Sequence, residues 1–122
     1  TTSHTTMAPT TLPNQVTTTS PQGKNPELAG MPMKMTEMIS MLPVAYVARG
    51  AIYNPAEIRK TKGYMKQALE AQVNNEGFSL VEILSPCPTN WHMTPVKAME
   101  RIKNEVVPYY PLGEMVTKGG RC

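Results

Sequence analysis

Apolar and polar positions follow different rules in different parts of this chain. Residues 1–30 are rich in Thr, Ser, Pro, Gln, Asn and Gly, with few apolar side chains. Such a stretch builds no core of its own, and it is expected to be disordered or held as a loop by something else. Beyond it, Met35, Met38, Ile39 and Leu42 recur at helical spacing and predict a short helix over 34–42 that Pro43 ends. Val44, Ala45, Tyr46, Val47 and Ala48 form an apolar run of strand length closed by Gly50, with residues 51–53 as an extension. Asn54-Pro55-Ala56-Glu57 combines a capping side chain, a first-turn proline and a Glu three residues after the cap. The helix it starts is expected to reach about Val73, with Ile58, Thr61, Met65, Ala68, Leu69 and Gln72 on one face. Asn74-Asn75-Glu76-Gly77 then turns the chain.

Residues 78–84 read as a near-continuous apolar strand, the pattern of a parallel strand covered on both faces. Ser85-Pro86 stops it. Thr94-Pro95 caps a last helix with Ala98, Met99, Ile102 and Val106 as its buried stripe, and Pro108-Tyr109-Tyr110-Pro111 ends that helix. Alternating helices and strands predict an α/β fold with a partial doubly wound, mostly parallel sheet. The segmentation is a loop over 1–30, a half-domain over 31–115 and a flexible tail over 116–122. Only two strands are clear, too few for such apolar surfaces to be stable alone.

With 122 residues, the chain is one domain or part of one, and at best it buries roughly two thirds of its unfolded surface. The net charge of +3, with scattered Lys and Arg, gives no case for nucleic acid, although a mild positive balance suits an acidic electron carrier. No run approaches the roughly 18 apolar residues of a membrane helix, and no basic region followed by an apolar run marks a signal peptide. The compartment expected is the reducing cytoplasm. Ten methionines against one phenylalanine change the picture of residues 31–42. Met31, Met33, Met35, Met38 and Met41 read as a flexible apolar surface that awaits a partner or a core, since thioethers alone bind only soft metals.

Cys87 and Cys122 are the two cysteines. Cys122 sits on a Gly119-Gly120 tail and reads as a frayed end. Cys87, flanked by Pro86 and Pro88, lies just past the carboxyl end of a predicted parallel strand, where ligand sites of open α/β sheets gather. Three readings of it stand open: a small buried apolar residue, a metal ligand, or a nucleophile served by His92 five residues on. One cysteine cannot complete a metal site. Trp91 reads as a plug at a core edge. Glu57, Glu70, Glu100 and Glu105 read as solvated helix positions. No HExxH, CxxC pair, GxGxxG or P-loop appears.

Several stretches carry a family resemblance. They include Met7-Ala8-Pro9-Thr10-Thr11, Asn25-Pro26-Glu27-Leu28-Ala29-Gly30, Tyr46-Val47-Ala48-Arg49, Gly77-Phe78-Ser79-Leu80-Val81-Glu82 and Leu84-Ser85-Pro86-Cys87-Pro88-Thr89-Asn90-Trp91. Together with Pro108-Tyr109-Tyr110-Pro111-Leu112-Gly113, they resemble the C-terminal part of the β subunit of 2-oxoacid:ferredoxin oxidoreductases. The 2-oxoglutarate branch is the most similar, with a branched-chain 2-oxoacid branch next. The resemblance implies a thiamine-diphosphate-binding fold and oxidative decarboxylation of a 2-oxoacid to an acyl-CoA, with electrons passed to ferredoxin. It implies thiamine diphosphate, Mg2+ and a [4Fe-4S] cluster as cofactors. It also implies an α subunit and the N-terminal half of the β subunit as partners. Cys87 then matches the fourth cluster ligand, and Thr10 and Thr11 match a loop near the thiamine cofactor; the catalytic residues stay unassigned.

The departures set a limit. The family's Gly-Asp-Gly motif, its Asn pair and three cluster cysteines precede the region matched. Thr1-Thr2-Ser3-His4-Thr5-Thr6 stands in place of a Gly-Gln stretch, and His92 stands where Gly is usual. Two other readings remain: a noncatalytic packing remnant of that subunit, and a small independent Cys-dependent enzyme using Cys87 and His92.

Overall fold

The computed structural model describes Leu12, Gln22, Gly23, Asn25–Ala29 and residues 31–121. A single turn, α1 (Pro26–Ala29), precedes α2 (Met35–Ser40), β1 (Tyr46–Ala51), α3 (Pro55–Val73) and β2 (Ser79–Leu84). There follow α4 (Pro95–Arg101), a π-helical segment (Ile102–Val106), α5 (Val107–Tyr109), β3 (Gly113–Thr117) and β4 (Gly120–Arg121). The sheet order is β2-β1-β3-β4. β1 and β2 are parallel, with Arg49 opposite Glu82, whereas β1–β3 and β3–β4 are antiparallel. The α/β class is therefore present, but the sheet is mixed rather than mostly parallel.

The predicted tail accounts for the difference. Val116 and Thr117 belong to β3, and strand pairing reaches Arg121. Val116 is buried against the sheet, and Lys118 pairs with Glu76 at 2.6 Å, tying the hairpin to the turn after α3. Charged and glycine-rich residues hid this hairpin from a pattern that looks for apolar runs.

Local chemistry fixes the long helix as its sequence predicts. Asn54 Oδ1 accepts from the Glu57 amide at 2.8 Å, and Pro55 takes the first turn. At the other end Asn75 adopts φ 58°. The amides of Asn75 and Glu76 return to the carbonyls of Gln72 and Ala71, at 3.1 and 2.9 Å, a Schellman closure. The buried face is shifted from the expected stripe. Thr61 and Ala71 are buried, with Tyr64 and Ala68 beside them, whereas Met65 and Leu69 are exposed. The cause is β1. Thr61 Oγ1 donates to the Ala51 carbonyl at 3.0 Å and accepts its amide at 3.1 Å, satisfying the strand's last residue. Gly50 lies directly beneath Thr61, so close that any Cβ there would overlap it.

Two cores flank the sheet. Tyr46, Ala48 and Ala71 pack between β1 and α3. On the other side Ala51, Leu84, Trp91, Ala98, Ile102, Val106 and Tyr110 form the larger cluster. Thr94 caps α4 as predicted, through Oγ1 and the Lys97 amide, and Ala98, Ile102 and Val106 are buried, but Met99 is exposed. Pro108 lacks the N–H that would return to the Asn104 carbonyl, and the wider π turn precedes it. Tyr110 is thereby brought fully into the core, with its hydroxyl unpartnered among the described residues and its pKa pushed up by burial.

The Met-rich stretch leaves Met31, Met33, Met38 and Met41 exposed, as expected of an apolar surface awaiting a partner, whereas Met35 is half-buried. Thr36 and Ser40 of α2 are buried, whereas Met38, Met41 and Leu42 are exposed. Arg49 explains this. It lies fully buried on β1, with Nη1 2.7 Å from Glu37 Oε1, Nε 2.7 Å from Glu82 Oε2, and a further bond to the Pro111 carbonyl at 3.2 Å. Thr36 Oγ1 donates to the same Glu82 carboxylate. An unpaired buried charge costs several kcal/mol, so the polar face of α2 turns inward and its methionines turn out.

Replacing Arg49 with Ala strands Glu82 and frees Glu37, and should destabilise the chain by roughly 2–4 kcal/mol in urea denaturation. The Arg49 guanidinium holds the Glu37 carboxyl below the ordinary carboxylate range. Stability from this pair is therefore full above the unfolded pKa of about 4.3 and falls as pH drops through the lower folded value. Acid titration of stability should show that loss in the native chain and not in Arg49→Met. Gly50→Ala should cost roughly 1–3 kcal/mol through overlap with Thr61, whereas Gly63→Ala, with open space around it, should not.

Candidate functional site

β2 ends at Leu84, which is fully buried, and the chain then leaves the sheet at its carboxyl edge. Ser85-Pro86 carries it outward, and Cys87 emerges as an exposed free thiol. The segment that follows folds back on itself. The Cys87 carbonyl accepts from the Trp91 amide at 3.0 Å, that of Pro88 from Met93 at 3.1 Å, and that of Thr89 from His92 at 3.3 Å. Trp91, only 9% exposed, inserts into the larger core as the sequence predicts, and the Arg101 guanidinium lies 5.2 Å above its ring. An aromatic anchor four residues past Cys87 thus fixes the loop while leaving its thiol outside. The reading of Cys87 as a buried apolar residue does not hold.

His92 has φ 52°, in the left-handed region that favours glycine. This geometry favours the Gly expected at this place by family resemblance, and His92 adopts it at some cost. Its imidazole is exposed and makes no hydrogen bond with Cys87, so no nucleophile–base pair is assembled. Pro88, Thr89, His92, Met93 and Lys97 line an open groove of about 670 Å³, and Cys87 is not part of its lining.

The donor set tests the implied cofactors. Among the described residues no three His, Cys, Asp or Glu side chains come together to hold a metal ion. A [4Fe-4S] cluster takes four thiolates, so Cys87 fits one corner of it and the described residues supply no other. All nine acidic residues are Glu and the chain contains no Asp; Glu37 and Glu82 hold Arg49, Glu76 pairs with Lys118, and Glu114 accepts from the Tyr46 hydroxyl. Thr10, Thr11, His4 and Cys122 lie outside the described residues. Leu12, next to that Thr pair in sequence, packs against the core cluster that holds Trp91 and Leu84.

The sequence reading missed Arg49, Glu37 and Glu82. Their signal was an arginine inside an apolar strand and a single Glu at the matching register of the next parallel strand.

The chain is 40% identical over 107 residues to ketoisovalerate oxidoreductase subunit VorA of Methanothermobacter marburgensis, a match covering 87% of this chain and 22% of VorA. The corresponding subunit of Methanothermobacter thermautotrophicus is 38% identical over the same share. Subunit KorB of 2-oxoglutarate synthase from Archaeoglobus fulgidus is 32% identical over 97 residues, 80% of this chain and 32% of KorB. The chain therefore spans about a fifth to a third of the length of these relatives. No family model and no solved structure matches it. Matches this long in a chain of 122 residues take in Cys87 wherever they begin. The relatives are thus subunits of oxidoreductases acting on 2-oxoacids. Among the described residues no helix is long and apolar enough to cross a membrane.

His92→Gly should be neutral or stabilising by up to about 1 kcal/mol in thermal unfolding, because it relieves the left-handed backbone. A thiol reagent should label Cys87 at the same rate in the native chain and in the His92→Gly variant, as expected of an exposed thiol without a base.

Proposed function

We propose that this chain is the C-terminal part of the thiamine-diphosphate-binding β subunit of a 2-oxoacid:ferredoxin oxidoreductase, and that Cys87 is one ligand of its [4Fe-4S] cluster. The observation that carries this is the exposed Cys87 thiol at the carboxyl edge of a parallel strand pair, inside a segment with subunits of two 2-oxoacid oxidoreductases as relatives. Pro86 and Pro88 stiffen the approach, and the Trp91 anchor holds the loop, so the sulfur is presented at a fixed place. The other three thiolates, the diphosphate and Mg2+ site, the α subunit and the ferredoxin contact belong to polypeptide beyond this segment. Thr10 and Thr11 contribute the loop near the cofactor.

When bound, thiamine diphosphate supplies the carbanion chemistry of decarboxylation, coenzyme A takes the acyl group, and the cluster conducts electrons. This chain's own work is to hold one sulfur and to pack the floor beneath it. The reaction belongs to the cytoplasm, without membrane or nucleic acid.

The resemblance of the motifs favours 2-oxoglutarate as substrate. Ketoisovalerate is the second reading, favoured by the higher identity to the two VorA subunits. Relative rates of ferredoxin reduction with the two acids decide between them.

In the assembled oxidoreductase, Cys87→Ala should lower bound iron and reduce ferredoxin reduction by more than tenfold, while thermal unfolding of the complex shifts little. Unchanged iron content overturns the ligand assignment. Assembly with no activity in the native complex points to the packing remnant, and thiol-sensitive activity in the isolated chain points to the independent Cys enzyme.

A further inference from the structure

Arg101 ends α4, and its side chain is 18% exposed. Nε lies 3.1 Å from Glu105 Oε2, but the pair is out of line for a hydrogen bond, and among the described residues that N–H has no acceptor. The Glu105 side chain is 56% exposed, where such an ion pair contributes little. What the guanidinium meets is the Trp91 ring, with its carbon 5.2 Å from the ring centroid. An apolar side chain of similar size would cover that aromatic face without desolvating a charge. Stability alone therefore does not call for an arginine at this place.

Trp91 is tied to Cys87 through the backbone. Its amide donates to the Cys87 carbonyl at 3.0 Å, and the Met93 amide donates to the Pro88 carbonyl at 3.1 Å. Pro86 and Pro88 fix their own φ on either side of the cysteine, which leaves the loop few ways to absorb a shift. The ring packs in the core cluster that holds Leu84, Ala98 and Ile102, and Arg101 lies over it. Ala98 and Arg101 belong to the same short helix, so α4 supplies both a wall and a cover for the ring. A tilt of Trp91 would pass through its amide to the Cys87 carbonyl.

We infer that Arg101 is a positioning residue for the [4Fe-4S] cluster of the proposed function, on which this inference rests: its guanidinium sets the tilt of Trp91 and, through it, the place of the Cys87 sulfur. Arg101 acts through Trp91 and not by contact with iron. A displaced thiolate changes its bond to iron and the hydrogen bonds around the sulfur, and these tune the electronic state of a cluster. Lysine at this position keeps a cation over the ring, whereas alanine leaves the ring face uncovered.

Electron paramagnetic resonance of the reduced cluster in the assembled oxidoreductase tests this. Arg101→Ala should displace the g values by more than their line width, and Arg101→Lys should return them to the native ones. Exchange of the Trp91 and Met93 amides should quicken at least about tenfold in Arg101→Ala and not in Arg101→Lys. Val106→Ala removes methyl groups from the same core cluster on the π-helical segment, and should lower the unfolding temperature with the g values unchanged. Unchanged g values in Arg101→Ala overturn the inference. So does an equal displacement in Val106→Ala, which would make the effect one of general core packing, or a displacement that Arg101→Lys does not reverse. Should Arg101→Ala lose the cluster outright, recovery of iron in Arg101→Lys carries the same decision. Cys87→Ala keeps the two readings apart. A native resonance in that variant ends the ligand assignment itself, whereas a lost resonance there beside native g values in Arg101→Ala ends only this inference.

Discussion

A buried arginine organises this structure. Arg49 stands fully inside a strand whose other residues are small or apolar, and an ion there is tolerated only if its donors are met. Glu37 from α2, Glu82 from β2 and the Pro111 carbonyl after α5 meet them, and the Tyr110 ring lies 5.1 Å from the guanidinium carbon. Three separate stretches of chain converge on one side chain. The register of the two parallel strands is fixed by it, because Arg49 and Glu82 are opposite one another. A slip of one residue would turn the pair to opposite faces. The same constraint sets the outer surface: with its polar side committed to Arg49, α2 leaves its methionines in solvent.

The elements whose ends depend on local chemistry were legible in the sequence. Asn54-Pro55 and Thr94-Pro95 start helices where they stand, because a cap and a first-turn proline act within a few residues of themselves. The faces of the helices were not legible in the same way. Met35, Met38, Ile39 and Leu42 mark the helix by their spacing, but that Thr36 and Ser40 are the residues it buries depends on the charge on β1. On α3 the close approach of Thr61 to Gly50 rotates the buried row toward Tyr64 and Ala71. Both effects come from residues distant in sequence. The terminal hairpin was missed for a related reason: β3 is held by pairing to β1 and by the Lys118–Glu76 contact rather than by an apolar pattern of its own.

The site was partly legible. A strand closed by Ser85-Pro86 places Cys87 at the carboxyl edge, and Trp91 is the expected plug. What the sequence could not reveal was exposure, which depends on Trp91 taking the buried place and Cys87 being left outside. His92 was a chemical suspect by residue type, but its left-handed backbone and the lack of a hydrogen bond to Cys87 make it a turn residue. Among the described residues, the result is a small scaffold with one exposed thiol and an outward methionine face.

The bond between Cys87 and iron is the most direct test of this account. A structure of the assembled oxidoreductase with anomalous density collected at the iron edge locates each iron and its four sulfurs. The account predicts that Cys87 Sγ is bound to one iron of a [4Fe-4S] cluster at the carboxyl edge of β1 and β2. A cluster completed by four other cysteines, with Cys87 unbound, would contradict it.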